Sequence, residues 1–214
     1  MIPKLHYISE GYSSKELLEN IQNACTSGAE LVQLCLNNES KTNILKLASA
    51  AREITSHFQT RLIIKDNYKI AKEIKADGVY LENINISYTS TRIHLYTWQI
   101  IGSKANTLQD CKTLISDEVD YICLGPFKSK RNNEELNKIL GISGFTSVLD
   151  CLKTKTPIIG YGGITSNDVT NILGTGISGV AVSDEINNNF DTIKAFNKLL
   201  DASSTDEKRH TFDS

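Results

Sequence analysis

The sequence predicts an α/β protein folded as a single (β/α)8 TIM barrel. Short apolar runs alternate with helical patterns about eight times, at a spacing of roughly 25 residues, and such alternation requires parallel strands with helical crossovers. Two apolar runs near the C-terminus, 156–164 and 176–183, end in small residues and are typical of strands covered on both faces. A doubly wound sheet would use fewer units, and no GxGxxG motif follows the first run.

The individual elements follow from apolar periodicity and from capping residues. Ser13 and Ser14 cap the first helix, Gly28 ends it, and Thr107 caps a later helix. The stretch 84–96 has no readable periodicity. The predicted strands are 5–9, 29–36, 61–66, 77–81, 98–103, 119–125, 156–164 and 176–183. Further helices are predicted over 40–58, 68–75, 145–152 and 193–200.

Length and composition indicate one soluble domain over residues 1–201, followed by a polar tail, 202–214, that we expect to be disordered. The net charge of −2 shows no excess of basic residues that would favour binding to nucleic acid or to an anionic membrane surface. No apolar run reaches the roughly 18 residues of a membrane span, and the N-terminus shows no signal-peptide pattern. The five scattered cysteines form no CxxC pair, so we expect buried thiols in a reducing cytoplasm.

The two C-terminal runs also predict an anion site. Gly162 and Gly163 end the first run and can adopt positive φ, so that backbone can approach a ligand. Val182 and Ser183 end the second run, and Ser183 is a candidate helix N-cap. Neighbouring strand ends that open helices bring backbone N–H groups together, as at the phosphate site of many (β/α)8 barrels. The alternative interpretation is a Gly-Gly turn and an ordinary cap.

Motifs along nearly the whole chain resemble those of the thiamine phosphate synthases, a family that also contains the thiazole tautomerases. They come in the family's order and at its spacing, up to about residue 200. The segments that carry the resemblance are LHYIS at 5–9, VQL at 32–34, IKDN at 64–67, IAKEIKADGVYL at 70–81, IGSKANT at 101–107, DYICLGPF at 120–127, ILGI at 139–142, GGIT at 162–165 and GVAVS at 179–183.

The resemblance implies a reaction that joins a hydroxymethylpyrimidine diphosphate to a thiazole phosphate and releases diphosphate. Such chemistry needs Mg²⁺ and basic side chains that absorb the charge developing on the leaving diphosphate. By resemblance, Asp66 is a Mg²⁺ ligand, Gln33 contacts the pyrimidine, and Gly162, Gly163, Val182 and Ser183 hold the thiazole phosphate. Asp66 could instead cap the helix that follows it, and Gln33 could be a buried structural amide.

Several positions depart from the family pattern and predict an altered diphosphate and Mg²⁺ site. The departures are Cys35 and Asn37 in place of Arg and Lys, Asn85 in place of a second Mg²⁺-binding Asp, Lys104 in place of a hydroxyl residue, and Lys130, Arg131, Asn132 and Asn133 in place of a Thr-rich loop ending in Lys. Lys104, Lys130 and Arg131 could restore positive charge as catalytic residues, together with Lys128, unless the loop cations form a solvated face. Glu82 could replace the missing carboxylate.

Two alternatives to the synthase activity remain open. The chain could be a non-catalytic paralogue that binds a phosphorylated ligand, or a protein like the thiazole tautomerases. The tautomerase histidine would fall on Asn106, which cannot exchange a proton near neutral pH. Among the histidines, His6 alone could face the barrel, and we interpret it as a core residue. A homodimer is compatible with these expectations.

Overall fold

Eight parallel strands, β1 to β8, close into a barrel in strict sequence order. The computed structural model describes residues 1–36, 41–82, 86–128 and 139–210. The strands are Leu5–Ile8, Leu31–Leu34, Arg61–Lys65, Gly78–Leu81, Ile100–Ala105, Tyr121–Leu124, Ile158–Tyr161 and Gly179–Val182. The helices α1 to α9 are Ser14–Thr26, Lys41–His57, Tyr68–Glu73, Tyr88–Arg92, Leu108–Ser116, Gly141–Cys151, Val169–Leu173, Asp184–Asn188 and Thr192–His210. This confirms the predicted fold class.

Most predicted elements are confirmed, with shifted ends. Strand β5 begins at Ile100 and continues to Ala105, because Lys104 and Ala105 still pair with β6. Helix α4 lies inside the stretch that had no readable periodicity. Helix α9 continues to His210, past the predicted end near Leu200, and residues 201–210 contain no Gly or Pro that would stop a helix.

The barrel has an apolar layer on each side of the sheet. Side chains alternate along each strand, so one set points inward and the other toward the helices. The inner cluster is Leu31, Ile63, Tyr80, Tyr121, Cys123, Ile159 and Ala181. Continuing this alternation toward the carboxyl ends of the strands turns Gln33, Lys65, Lys104 and Tyr161 inward. None of the described helices is both long enough and apolar enough to cross a membrane.

Helix caps confirm two of the local predictions. The Ser13 hydroxyl accepts a hydrogen bond from the N–H of Glu16 at the start of α1. Thr107 and Asp110 form a reciprocal capping box at the start of α5. Both caps satisfy backbone N–H groups in the first turn of their helix.

Gly102 makes room for an aromatic ring in the barrel interior. A Cβ atom at this position would overlap the ring of Tyr121 from the neighbouring strand. We expect Gly102→Ala to lower the free energy of unfolding by about 3 kcal/mol, because an overpacked core must shift backbone or ring. Urea unfolding measures this loss. The control Gly174→Ala, where the new Cβ makes ordinary contacts, should stay within about 0.5 kcal/mol of wild type.

His6 is a buried core histidine, as predicted. Its Nε2 lies 3.0 Å from the carbonyl oxygen of Pro3, and its ring packs edge-on against Tyr121. Burial lowers the pKa of His6 to about 4. The folded protein therefore holds His6 neutral at pH values where the unfolded chain protonates it.

This burial predicts a loss of stability in mild acid. Between about pH 6.5 and pH 4 the unfolded state binds a proton that the folded state does not. The contribution is complete above pH 6.5 and falls by about 3 kcal/mol on acidification to pH 4. Urea unfolding from pH 4 to 7.5 should show a shallower dependence for His6→Gln than for wild type. Identical pH dependence of both proteins would contradict this assignment.

Candidate functional site

A large cavity opens at the carboxyl end of the barrel, between the loops that follow β5 to β8. Its volume is about 1110 Å³. Gly162, Gly163, Val182 and Ser183 all line it, together with Lys104. The structure therefore brings the four residues of the predicted anion site to one cavity.

The Gly162–Gly163 turn has the positive φ angles predicted for it, 97° and 59°. A Cβ at Gly162 would lie 2.6 Å from Cβ of Pro126, so the neighbouring loop requires glycine here. That loop also holds the turn, because the N–H of Phe127 donates to the carbonyl of Tyr161 at 2.8 Å and the N–H of Lys128 to that of Gly162 at 3.0 Å. The turn is thus fixed in place at the cavity wall.

Ser183 occupies the position before α8, but its side chain does not cap the helix. The hydroxyl donates instead to the carbonyl oxygen of Ile8, at 2.8 Å, and accepts a hydrogen bond from the amide of Asn187 at 3.1 Å. Ser183 is the N-cap residue of α8, as predicted, but its hydroxyl accepts from the Asn187 side chain instead of from a backbone N–H of the helix. Among the described residues, neither the backbone N–H of Ser183 nor that of Gly163 donates a hydrogen bond.

Asp66 lies at the end of β3 in the left-handed region, with φ of 53°. Its Oδ1 accepts a hydrogen bond from the N–H of Glu82 at 2.8 Å. The alternative role of Asp66 as a helix cap is wrong, because Asn67 accepts the N–H of Ile70 and caps α3. Asp66 thus ties the end of β3 to that of β4 and leaves Oδ2 for other contacts.

Glu82 does not stand free as a replacement carboxylate. It forms an ion pair with Lys65 through Oε2, and its Oε1 lies 3.2 Å from Nζ of Lys104. Burial alone would raise the pKa of the Glu82 carboxyl, but the two lysines hold it below its usual value. Burial would likewise lower the pKa of Lys65, yet the hydrogen bond and charge of Glu82 raise it. Glu82 is therefore ionised and Lys65 charged at neutral pH.

Lys65 was missed by the sequence analysis. A lysine in the last position of a buried strand was the available signal, because an ammonium group there requires a partner.

Gln33 is buried, as predicted, and lies beside the thiol of Cys35. Burial raises the pKa of the Cys35 thiol, so Cys35 stays neutral where the family resemblance implied a cation.

Tyr161 and Asn106 form a second contact missed from the sequence. The Asn106 amide donates to the carbonyl of Gly125 at 2.6 Å and to the hydroxyl of Tyr161 at 2.8 Å. Nζ of Lys104 lies 5.7 Å from the centre of the Tyr161 ring. Burial raises the pKa of Tyr161, so its hydroxyl stays protonated. Asn106 is thus a positioning amide, which does not fit the acid–base role of the tautomerase alternative.

Lys128 is not simply a solvated loop cation. Its Nζ lies 2.7 Å from each carboxylate oxygen of Asp168, while half of its side chain remains exposed. Burial would raise the pKa of the Asp168 carboxyl, but Lys128 and Thr165 hold it below its usual value. The predicted positions Asn37, Asn85, Lys130, Arg131, Asn132 and Asn133 lie outside the described residues.

Asp66 is the carboxylate of the predicted Mg²⁺ site that lies within the described part of the chain, and its Oδ2 makes no hydrogen bond there. No group of three or more His, Cys, Asp or Glu side chains that could hold a metal occurs within it. Mg²⁺ is often held by only one or two carboxylates together with substrate phosphates, and it keeps several waters. Asp66 therefore fits a Mg²⁺ site that a phosphorylated substrate completes, and it does not fit an all-protein site.

A closed barrel of parallel strands with a large cavity at their carboxyl ends defines the class of (β/α)8 barrel proteins, in which this face is the usual ligand-binding face. Within that class, the chain belongs to the thiamine monophosphate synthase family, whose family model matches residues 5–186.

Curated relatives of this chain carry the name thiamine-phosphate synthase. The protein of Flavobacterium psychrophilum is 35% identical over 206 residues, which cover 94% of this chain and 100% of the relative. That of Flavobacterium johnsoniae is 34% identical and covers 86% of this chain and 88% of the relative. Among solved structures, the thiamine phosphate pyrophosphorylase from Pyrococcus furiosus superposes with a TM-score of 0.81 at 21% identity, covering 93% of this chain and 96% of that one, and this likeness supports the fold.

Proposed function

We propose that this chain is a thiamine-phosphate synthase. It joins a hydroxymethylpyrimidine diphosphate to a thiazole phosphate in thiamine biosynthesis and releases diphosphate. The observation that carries this proposal is family membership over residues 5–186, with relatives of that name matched along nearly their whole length. Such an enzyme is a transferase of small phosphorylated substrates. A cytoplasmic location and a homodimer remain predictions.

In this proposal the corner between β7 and β8 holds the thiazole phosphate. A Cβ at Gly162 would clash with Pro126 of the loop that holds the turn, and the N–H groups of Gly163 and Ser183 donate no hydrogen bond among the described residues. Backbone N–H groups at such a corner bind an anion without a charged side chain. Val182 completes the wall of the same cavity.

The opposite side of the barrel mouth holds the pyrimidine diphosphate. The buried amide of Gln33 would orient the pyrimidine ring, since an amide can both donate to and accept from ring nitrogens and amino groups. Lys104, Lys130 and Arg131 would supply positive charge to the diphosphate. Charge-assisted contacts of this kind contribute roughly 1.5–3 kcal/mol each.

Asp66 would hold the Mg²⁺ ion, with Asn85 at the position of the family's second carboxylate. When bound, the ion stabilises the negative charge that develops on the diphosphate oxygens. Asp66 suits this role because the N–H of Glu82 already fixes its Oδ1. The carboxylate would therefore meet the ion in a set orientation, which lowers the ordering cost.

The chemistry requires no protein nucleophile. The bond between the pyrimidine methylene carbon and the diphosphate oxygen breaks, and its electron pair leaves on that oxygen. The thiazole nitrogen supplies the electron pair for the new bond to carbon. The protein must therefore align the two rings and neutralise the leaving group, which are positioning and electrostatic tasks.

Incubation of the purified protein with both substrates and Mg²⁺ tests the proposal. We expect thiamine phosphate to accumulate with time and in proportion to protein concentration. If no product forms above a protein-free blank while calorimetry still detects binding of thiazole phosphate, the synthase proposal is wrong. The non-catalytic binding paralogue would then be the function.

A further inference from the structure

Two aromatic rings lie together on the surface of the protein, just before strand β5. Tyr96 and Trp98 stack with their ring centres 5.7 Å apart and their planes 5° from parallel, and we call this pair the aromatic patch. The two residues are 40% and 52% exposed, and Ile93, on the same short segment, is 73% exposed. Large apolar side chains gathered on an exposed surface are typical of an interaction site.

Hydrogen bonds hold the backbone that carries the aromatic patch. The buried side chain of Gln99 donates to the carbonyl oxygens of Ala71 and Ala76, at 2.9 and 2.7 Å. Its Oε1 accepts the N–H of Tyr96 at 3.0 Å, and the guanidinium of Arg92 donates to the carbonyl oxygen of Tyr96 at 2.6 Å. The patch is therefore held in one position, which lowers the entropy that a partner's binding would cost.

Exposed charges of both signs border the aromatic patch. Nζ of Lys72 lies 5.5 Å from the centre of the Tyr96 ring. Lys72 also lines a hollow of about 240 Å³ together with Lys69 and Glu73. A surface with both signs is complementary to a copy of itself turned about a two-fold axis, whereas a partner of one charge would be repelled at part of the border.

The aromatic patch lies away from the large cavity. Trp98 comes two residues before Ile100, the first residue of β5, and it borders a second hollow with Arg61, the first residue of β3. The patch is therefore near the amino ends of the strands, whereas the large cavity opens at their carboxyl ends. A protein bound to the patch would leave that cavity open.

We propose that two copies of this chain associate through the aromatic patch about a two-fold axis, with Trp98 buried at the centre of the interface. Tryptophan and tyrosine are the residues most enriched at the energetic centres of interfaces, and a two-fold contact uses each of them twice. This association does not depend on the proposed function, because it involves the opposite end of the barrel and no substrate.

The chain contains a single tryptophan, so its fluorescence reports on the aromatic patch. Sedimentation equilibrium and Trp98 emission can be measured on the same full-length samples between about 0.1 and 100 µM. We expect the mass to rise to that of a dimer and the emission to shift to shorter wavelength with the same midpoint, because the indole leaves water. Quenching by acrylamide should fall in parallel.

Substitutions locate the interface. Trp98→Ala should weaken dimerisation by at least about thirtyfold, because each interface loses two tryptophan side chains. Tyr96→Ser keeps Trp98 as the reporter and should shift the midpoints of mass and emission by about tenfold. Tyr12→Ser, at an exposed tyrosine before α1, is the matched control and should dimerise like wild type. Thermal melts show whether each variant is folded.

Three results would overturn the inference. A monomer at every concentration would assign the aromatic patch to a partner of another kind. A dimer in which acrylamide still quenches Trp98 as in a free indole, or a dimer that Trp98→Ala leaves unchanged, would show that the two copies associate through a different surface. A dimer at every concentration in which Trp98 is protected from acrylamide would support the inference.

Discussion

Gly162→Ala is expected to weaken the binding of thiazole phosphate by about a hundredfold while the barrel stays folded. Gly162 has a φ of 97°, which alanine adopts only with strain, and its Cβ would lie 2.6 Å from Cβ of Pro126. The turn must therefore move, and the N–H of Gly163 moves with it. The loss of one or two hydrogen bonds to a charged phosphate corresponds to roughly this decrease in affinity.

Gly28→Ala is the matched control for this prediction. Gly28 has the same φ of 97°, but a Cβ there meets only the Asn197 amide, at 3.8 Å, and the residue lies at the end of α1. Both variants should lose stability through backbone strain, and only Gly162→Ala should lose affinity in calorimetry. Equal affinities of the two variants would show that the Gly-Gly turn does not hold the phosphate.

Asp66→Asn is expected to lower kcat/KM by about a hundredfold at a fixed Mg²⁺ concentration and to raise the Mg²⁺ concentration needed for half-maximal rate. Asparagine tolerates the φ of 53° and keeps an oxygen that can accept the N–H of Glu82, so the fold should be unaffected. Only the negative charge is lost, and with it about 3 kcal/mol of stabilisation of a bound cation and its ligand.

Steady-state rates over a Mg²⁺ series measure this effect. Asp150→Asn, which removes an exposed carboxylate on α6, should behave like wild type. If Asp66→Asn follows the wild-type Mg²⁺ dependence, Asp66 is a structural link between β3 and β4 rather than a metal ligand.

The fold could be predicted because each strand of the barrel has a recognisable pattern in its own local sequence. Runs such as 61–66 and 156–164 are apolar, bounded by small or polar residues and followed by helical periodicity, so each unit is visible by itself. The ends of the strands were less predictable, because they depend on pairing with the neighbouring strands. Strand β5 reaches Ala105 through its pairing with β6.

The residues of the candidate site likewise fall into those that the local sequence predicts and those that depend on neighbouring strands. Gly162 and Gly163 were predicted from the sequence because glycine is the usual residue where the backbone has a positive φ or makes a close approach. The contacts of Glu82 with Lys65 and Lys104 were not found, because Lys65 lies on β3, Lys104 on β5 and Glu82 directly after β4, and the three meet only when all turn inward at one height. The alternation of side chains along the strands contained the signal, because Ile63, Tyr80 and Gly102, each two positions earlier, face inward. The role of Asp66 as a cap was wrong because Asn67, one residue later, has the better geometry.

The central claim is that this barrel couples two phosphorylated substrates. Phosphorus-31 NMR of one reaction mixture, with both substrates and Mg²⁺, follows thiamine phosphate and free diphosphate together. The account predicts that both appear in equimolar amounts and at the same rate. Release of diphosphate without thiamine phosphate, or no change in either signal, would contradict it.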